Sequence, residues 1–222
     1  LHFNKIYTFK DYFKSFLFRK MLKNSNIKNI FSLDPLLKKY VNQNLSNSNK
    51  IITLPDPSVF SIFYKKYRND LINYKTKYKN FFSFFGYMQS RKGIIQLLKS
   101  LYTIDDFVSK NFSFIIAGRV DEAIKERVQN HLEKIKINRK DIDIIFIDKY
   151  LSEQELFSLL YSSYAVLAPY QKFNGNSGVL QLVAESGKPI ITQDFGLIGE
   201  YCKKYKLGIS TDTTEPYKIS EA

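Results

Sequence analysis

Two stretches of this chain combine residue types suited to holding an anion. One is Gly86-Tyr87-Met88-Gln89-Ser90-Arg91-Lys92-Gly93, a glycine-bounded segment carrying two adjacent cations. The other runs from Phe173 to Ile191 and reads as a loop of small residues opening an apolar helix, then a glycine and a short strand. Asn176 or Ser177 can cap that helix, because a side-chain oxygen accepts an unpaired N–H of the first turn. Gly178 leaves the first turn open to close approach. Gly187 suits the left-handed position after a helix, and Pro189 cannot continue one. N–H groups at a helix mouth attract anions, most commonly phosphate. A lysine ammonium acting on the same charge would complete a cradle for a diphosphate. Each stretch also fits a purely structural role, as a plain capped helix or as surface cations at a helix start. Cations there oppose the helix dipole, so a pair of them calls for a reason.

The elements that must position these stretches follow from apolar periodicity. Strands are expected at 81–85, 112–117, 142–147, 164–168, 189–192 and 207–210. Helices are expected at 93–103, at 121 to about 136, after the Ser152-x-x-Glu155 capping box, after Ser177, and at 198–204. Such β-α repetition with apolar strands specifies a parallel sheet covered on both faces, a Rossmann-like α/β domain. Ligands of these sheets bind outside the carboxyl ends of the strands, which puts loops 86–92, 118–120, 148–151 and 170–177 on one rim.

The preceding residues are different in kind. Residues 1–80 carry 16 Lys/Arg against four Asp/Glu, a net +12, while residues 81–222 carry 18 against 17, a net +1. A helix is expected at 5–24, a strand at 29–33, a helix from the Asp34-Pro35 start to about Leu45, and a strand at 50–54, stopped by Pro55-Asp56-Pro57. Residues 58–79 are basic, with Tyr64-Lys65-Lys66-Tyr67-Arg68 and Tyr74-Lys75-Thr76-Lys77-Tyr78-Lys79, and suggest a connecting loop with a helical turn or two. The organisation expected is therefore a partial α/β unit over 1–57, a basic connector over 58–79, and the Rossmann-like domain over 80–222. Lys/Arg interleaved with Phe3, Tyr7, Phe9, Tyr12, Phe13, Phe16 and Phe18 suits an anionic membrane surface, an acidic substrate or nucleic acid, although simply solvated lysines are also compatible. Leu1 in place of Met and the helix-like Ile219-Ser220-Glu221-Ala222 suggest a piece of a longer protein.

Several chemistries find no residues. The single cysteine, Cys202, forms no internal disulfide. No His/Cys cluster has metal spacing and no Ser/His/Asp set can be assembled, so no metal or cofactor is expected. His131 sits on the apolar stripe of its helix and reads as a packed core-edge residue. The first strand lacks a following G-x-G-x-x-G and the second lacks a terminal acid, which argues against a dinucleotide oxidoreductase. Arg119, just after Gly118, reaches the rim or pairs with Asp121 or Glu122.

In order, Phe84-Phe85-Gly86 with Arg91-Lys92-Gly93, Ile115-Ile116-Ala117-Gly118, Leu151-Ser152-Glu153-Gln154-Glu155-Leu156, Ala165-Val166-Leu167-Ala168-Pro169-Tyr170, and Ser177-Gly178-Val179-Leu180 with Gly187-Lys188-Pro189-Ile190-Ile191 resemble the nucleotide-sugar-binding domain of group 1, family-4-like retaining glycosyltransferases. The resemblance covers about residues 80–212 and implies the C-terminal half of a GT-B fold, with residues 27–57 resembling the tail of the family's acceptor domain. It implies a retaining, hexosyltransferase-type enzyme of polysaccharide biosynthesis with a nucleotide sugar as donor. The acceptor would be a glycan or lipid-linked glycan, and the setting the cytoplasm or the cytoplasmic membrane face.

Carried over by residue, the resemblance implies that Lys92 binds the donor diphosphate, with Gly86, Arg91 and Arg119 near it. Backbone N–H groups over Asn176, Ser177, Gly178, Val179 and Leu180 would hold phosphate, and the turn with Lys149 and Tyr150 would lie near the nucleobase. Two positions depart from the pattern. Tyr87 stands where an arginine often follows the glycine, and the family's pair of glutamates maps onto Asn174 and Leu182. Asn174, the one catalytic candidate, can still hydrogen-bond sugar hydroxyls, whereas Leu182 cannot accept from a ribose. A catalytically inactive GT-B-like binding or partner subunit is therefore the alternative, and a basic nucleic-acid-binding module the second, although nucleic acid is not the expected partner.

Overall fold

A computed structural model of the chain describes residues 9–45, 49–54, 60–175 and 177–222. The chain divides into two compact units, Leu1–Pro57 with Asn174–Asn176, and Ser58–Phe173 with Ser177–Ala222. Phe3, Tyr7, the turn expected at Pro55-Asp56-Pro57 and Asn176 lie outside the described residues.

In the first unit, α1 (Phe9–Lys23) is followed by β1 (Ile30–Ser32), α2 (Pro35–Asn44) and β2 (Ile51–Thr53). Asp34 starts α2 as its spacing with Pro35 requires, its carboxylate accepting the N–H of Leu36 at 2.8 Å. The two strands pair in parallel, Ile30 opposite Ile51, over a small core of Leu22, Tyr40, Val41 and Ile51. The Lys50 ammonium closes the end of α1, donating to the carbonyls of Leu22 at 2.9 Å and Asn24 at 2.6 Å, where a cation favours the helix dipole. Along α1, Phe9, Tyr12, Phe13, Phe16, Leu17 and Met21 are exposed. Among the described residues no helix is long and apolar enough to cross a membrane.

The second unit opens with α3 (Phe60–Tyr67) and alternates thereafter through β3 (Asn80–Phe85), α4 (Ile94–Ser100), α5 (Asp106–Asn111), β4 (Phe112–Ala117), α6 (Glu122–Asn138), β5 (Asp143–Ile147), α7 (Glu153–Ser162), β6 (Ala165–Ala168), α8 (Gly178–Ser186), β7 (Ile190–Gln193), α9 (Gly196–Lys204), β8 (Gly208–Thr211) and α10 (Pro216–Glu221). All six strands from β3 onward pair in parallel, in the order β5-β4-β3-β6-β7-β8. Strand side chains alternate between two cores. Phe81, Phe85, Val166 and Ile190 meet α7, α8 and α9 on one face, while Phe84, Phe114, Ile116 and Leu167 meet α4, α6 and α10 on the other. This is the Rossmann-like sheet covered by helices that the apolar pattern specifies.

Local signals explain most element ends. Ser152 and Glu155 form the reciprocal capping box of α7, and Ser177 caps α8, which ends at Gly187 with φ +67°. Three stretches differ from expectation. Residues 60–67 form a helix, not part of a connecting loop, because Phe60, Phe63, Tyr64 and Tyr67 share one face. Phe60 and Tyr67 lie 5.3 and 6.2 Å from Phe157, and the Glu185 carboxylate accepts the N–H of Phe60 at 3.1 Å. The short α5 appears where no helix was expected, started by Asp105, whose side chain accepts the N–H of Phe107 at 2.7 Å. Helix α4 ends at Ser100, earlier than expected. Arg139 then bonds the carbonyls of Leu101, Tyr102 and Ile104 and is itself held by Asp141 at 2.8 Å.

Candidate functional site

The chain runs from β3 outward to β4 and β5, then returns to β6 on the other side of β3. The carboxyl ends of β3 and β6 therefore flank a topological switch point, where open α/β sheets form their ligand crevice. The loops leaving these two strands are the two anion-suited stretches of the sequence.

They are joined very closely. Gly93 has φ +78° and touches Pro169, such that a Cβ on it would stand 1.8 Å from the Pro169 oxygen. Only glycine fits that approach. The same holds one loop further along, where a Cβ on Gly118 would stand 2.1 Å from the oxygen of Gly86. The N–H of Gln171 adds a bond to the Arg91 carbonyl at 2.9 Å.

The single helical turn Ser90–Lys92 aims Lys92 across the crevice. Its Nζ donates to the Tyr170 hydroxyl at 2.6 Å and lies 4.7 Å from the centre of that ring. The Tyr170 hydroxyl is in turn 2.6 Å from Ser177 Oγ, which accepts the N–H of Val179 at 3.3 Å. A continuous hydrogen-bonded chain thus links the cation of one loop to the helix mouth of the other. Among the described residues nothing lies within 4 Å of where a side chain on Gly178 would begin. Arg91 lies with its guanidinium 4.9 Å from the Phe173 ring, and Phe173 stacks on Tyr170 at 5.3 Å.

The loop after β6 is held by buried polar side chains. Gln193, 1% exposed, accepts the N–H of Phe173 at 3.1 Å and donates to the carbonyls of Phe173 and Phe195. Gln171 donates to the carbonyls of Pro169 at 2.9 Å and Thr213 at 2.8 Å, and the Thr213 hydroxyl donates to the backbone carbonyl of Tyr170 at 2.5 Å.

Gly86, Lys92, Ser177 and Gly178 therefore meet at one crevice. Two first-turn N–H groups expected to hold phosphate are otherwise engaged: that of Val179 by the Ser177 side chain, and that of Leu180 by the Ser177 carbonyl at 3.0 Å. The Leu180 side chain is buried in the core, as is part of Val179. Asn174 is exposed, and Leu182 packs against the core of the second unit.

The other expected residues stand along the β3–β4–β5 side of the rim. Arg119 pairs with Glu122 at 3.2 Å and lies 4.0 Å from Asp148, which accepts the N–H of Val120 at 2.9 Å. Lys149 pairs with Glu155 at 2.5 Å, and that ammonium, with the N–H of Ser152, lowers the Glu155 pKa below the usual carboxylate value. Tyr150, 74% exposed, stacks on Tyr87 at 6.4 Å. The Tyr87 hydroxyl donates to Asp121 at 3.1 Å, a bond that raises the phenol pKa. His131 is packed at a core edge, with Nδ1 3.4 Å from the Tyr102 hydroxyl. Burial and then nearby Lys99 lower its pKa, holding the imidazole neutral. No metal-binding group of His, Cys, Asp or Glu occurs among the described residues.

Tyr170, Gln171, Gln193 and Thr213 are the residues that local reading of the sequence passed over. Tyr170 directly follows the strand-ending Pro169 on the ligand rim, and that position was the available signal.

No protein-family model and no curated protein matches the sequence. Solved structures do match the fold. Sucrose-phosphate synthase from Thermosynechococcus elongatus superposes with a TM-score of 0.67 at 12% identity, over 98% of this chain and 53% of that one. WaaG, a glycosyltransferase involved in lipopolysaccharide biosynthesis, gives 0.62 at 14% identity over 96% and 57%. Anabaena HepE, in complex with UDP and glucose, gives 0.59 at 12% identity over 87% and 52%. The chain spans about half the length of the solved structures it matches. At these identities the likeness establishes architecture: the six-stranded parallel sheet and its helices are the Rossmann-like domain of the GT-B fold.

Proposed function

We propose that this chain is the donor-binding half of a glycosyltransferase, taking a sugar from a nucleotide-diphosphate sugar to a glycan or lipid-linked glycan. The observation that carries the reading is the Lys92–Tyr170–Ser177 chain at the switch point, which links an ammonium to the N-terminus of α8, where Gly178 has no side chain. In transfer, the bond from the sugar's anomeric carbon to the diphosphate oxygen breaks, the diphosphate leaves with the electron pair, and the carbon bonds to an acceptor hydroxyl oxygen whose proton passes to the departing diphosphate. A fixed cation and helix N-terminus stabilise the charge that develops on it. The exposed Asn174 amide would hydrogen-bond the sugar's hydroxyls. UDP, present in the HepE structure, is the first donor nucleotide to try. The family resemblance supports a retaining, hexosyl-transferring course and a place in polysaccharide biosynthesis at the cytoplasmic membrane face. Residues 27–57 would be the end of the acceptor domain. The exposed aromatic and basic residues of α1 support contact with an anionic membrane.

Leu182 favours a second reading, a GT-B-like subunit that binds without turnover, because an apolar core residue fills the position where the family pattern has its second glutamate. Thermal unfolding with UDP, GDP, UDP-glucose and GDP-mannose tests the donor site. We expect stabilisation of the native chain that Lys92→Ala removes, and no shift with any nucleotide would overturn the reading. Release of nucleoside diphosphate in the presence of acceptor separates the enzyme from the binding subunit.

A further inference from the structure

The Lys92 ammonium can only donate hydrogen bonds, so the Tyr170 oxygen is the acceptor between them at 2.6 Å. The Tyr170 hydroxyl also shares a hydrogen bond with Ser177 Oγ, 2.6 Å away, and Ser177 Oγ accepts the Val179 N–H. The cation fixes the direction of the first bond, with the Tyr170 oxygen as acceptor. Tyr170 is 2% exposed, and its ring is stacked on Phe173 while its carbonyl is bonded by Thr213. A side chain so enclosed is well placed to hold a neighbour and poorly placed to touch a ligand.

We propose, resting on the donor-site reading, that Tyr170 is the positioning residue of the site: its hydroxyl fixes the Lys92 ammonium toward the α8 mouth, so that both act on one diphosphate. An unheld lysine has a flexible four-carbon stem and rotamer freedom that binding must quench. The ammonium has three donors, so it keeps its bond to Tyr170 while two N–H groups remain for phosphate oxygens. Polarisation along the chain strengthens each bond in a low-dielectric crevice.

Tyr170→Phe removes the hydroxyl and retains the ring, its stack on Phe173 and its face toward Lys92. Calorimetric titration of the native chain and the variant with UDP and GDP, at low and high NaCl, tests the role. With the nucleotide that binds, we expect affinity about tenfold weaker at low salt, the scale of one hydrogen bond to a charged group. The gap should narrow at high salt, because the lost component is ionic. Affinity equal to that of the native chain, or a loss of the same size at both salts, would overturn the positioning role and leave the donor site standing. No binding of either nucleotide by the native chain would remove the donor site, and the role with it.

Discussion

Gly93 and Pro169 are in contact across the switch point, with no room between them for even a methyl group. This contact clamps the loop carrying Lys92 to the loop carrying Tyr170. Gly93→Ala would have to relieve a 1.8 Å overlap with a backbone oxygen while holding φ +78°. We expect a loss on the order of 3 kcal/mol, read as a fall of roughly 10 °C in unfolding midpoint. An unchanged midpoint would show that the two loops part easily.

Leu182 offers a direct test of whether the missing glutamate can be restored. Its side chain packs against the core shared by Val183, Leu180 and Phe157. Leu182→Glu places a carboxylate there, and we expect destabilisation of about 2 kcal/mol in denaturant unfolding with no gain in nucleotide affinity. A variant of native stability and tighter UDP binding would mean that the position faces the crevice.

Helix α1 exposes Phe13, Phe16 and Leu17 together with Lys14, Arg19, Lys20 and Lys23. Co-sedimentation with phosphatidylserine vesicles should exceed that with neutral vesicles, at about 1 kcal/mol per engaged cation. It should fall with added salt, and a Phe13→Ser, Phe16→Ser double variant should bind several-fold less. Equal partitioning to neutral vesicles sinks the membrane contact.

Tyr74 sets an alkaline limit on stability. Its hydroxyl donates to the Glu155 carbonyl at 2.9 Å, and burial, with Glu155 nearby, pushes its pKa up to about 12. A raised pKa means that the folded state favours the neutral phenol. The contribution is complete below pH 10, the ordinary tyrosine value, and is lost as pH rises from there toward 12. Unfolding followed between pH 9 and 12 should show that decline in the native chain and a shallower one in Tyr74→Phe. Identical slopes would count against it.

The sheet was legible because its strands are short apolar runs bounded by glycine or proline: Phe112–Ala117 is a strand from end to end and Gly118 ends it. Caps were legible where chemistry is local, at Asp34, Ser152 and Ser177. Helix α3 was obscured because Lys65, Lys66 and Arg68 interrupt the eye, although the aromatics at 60, 63, 64 and 67 have helical spacing. Its docking depends on Phe157 and Glu185, far along the chain. The site was half legible. Lys92 and Ser177 declared themselves by their neighbours, while the phenol joining them is 78 residues from Lys92 and carries no local pattern. Arg119 and Lys149 show the converse, as cations on the rim whose charge is taken up by Glu122 and Glu155.

Gln193 offers a single amide to both backbone groups of Phe173, doing for the loop what a neighbouring strand would do. Together with Gln171 and Thr213 it fixes the crevice wall as the domain folds, before any nucleotide arrives. A wall fixed in this way leaves less ordering cost for the nucleotide to offset on binding, so that encounter and charge weigh more in the association rate.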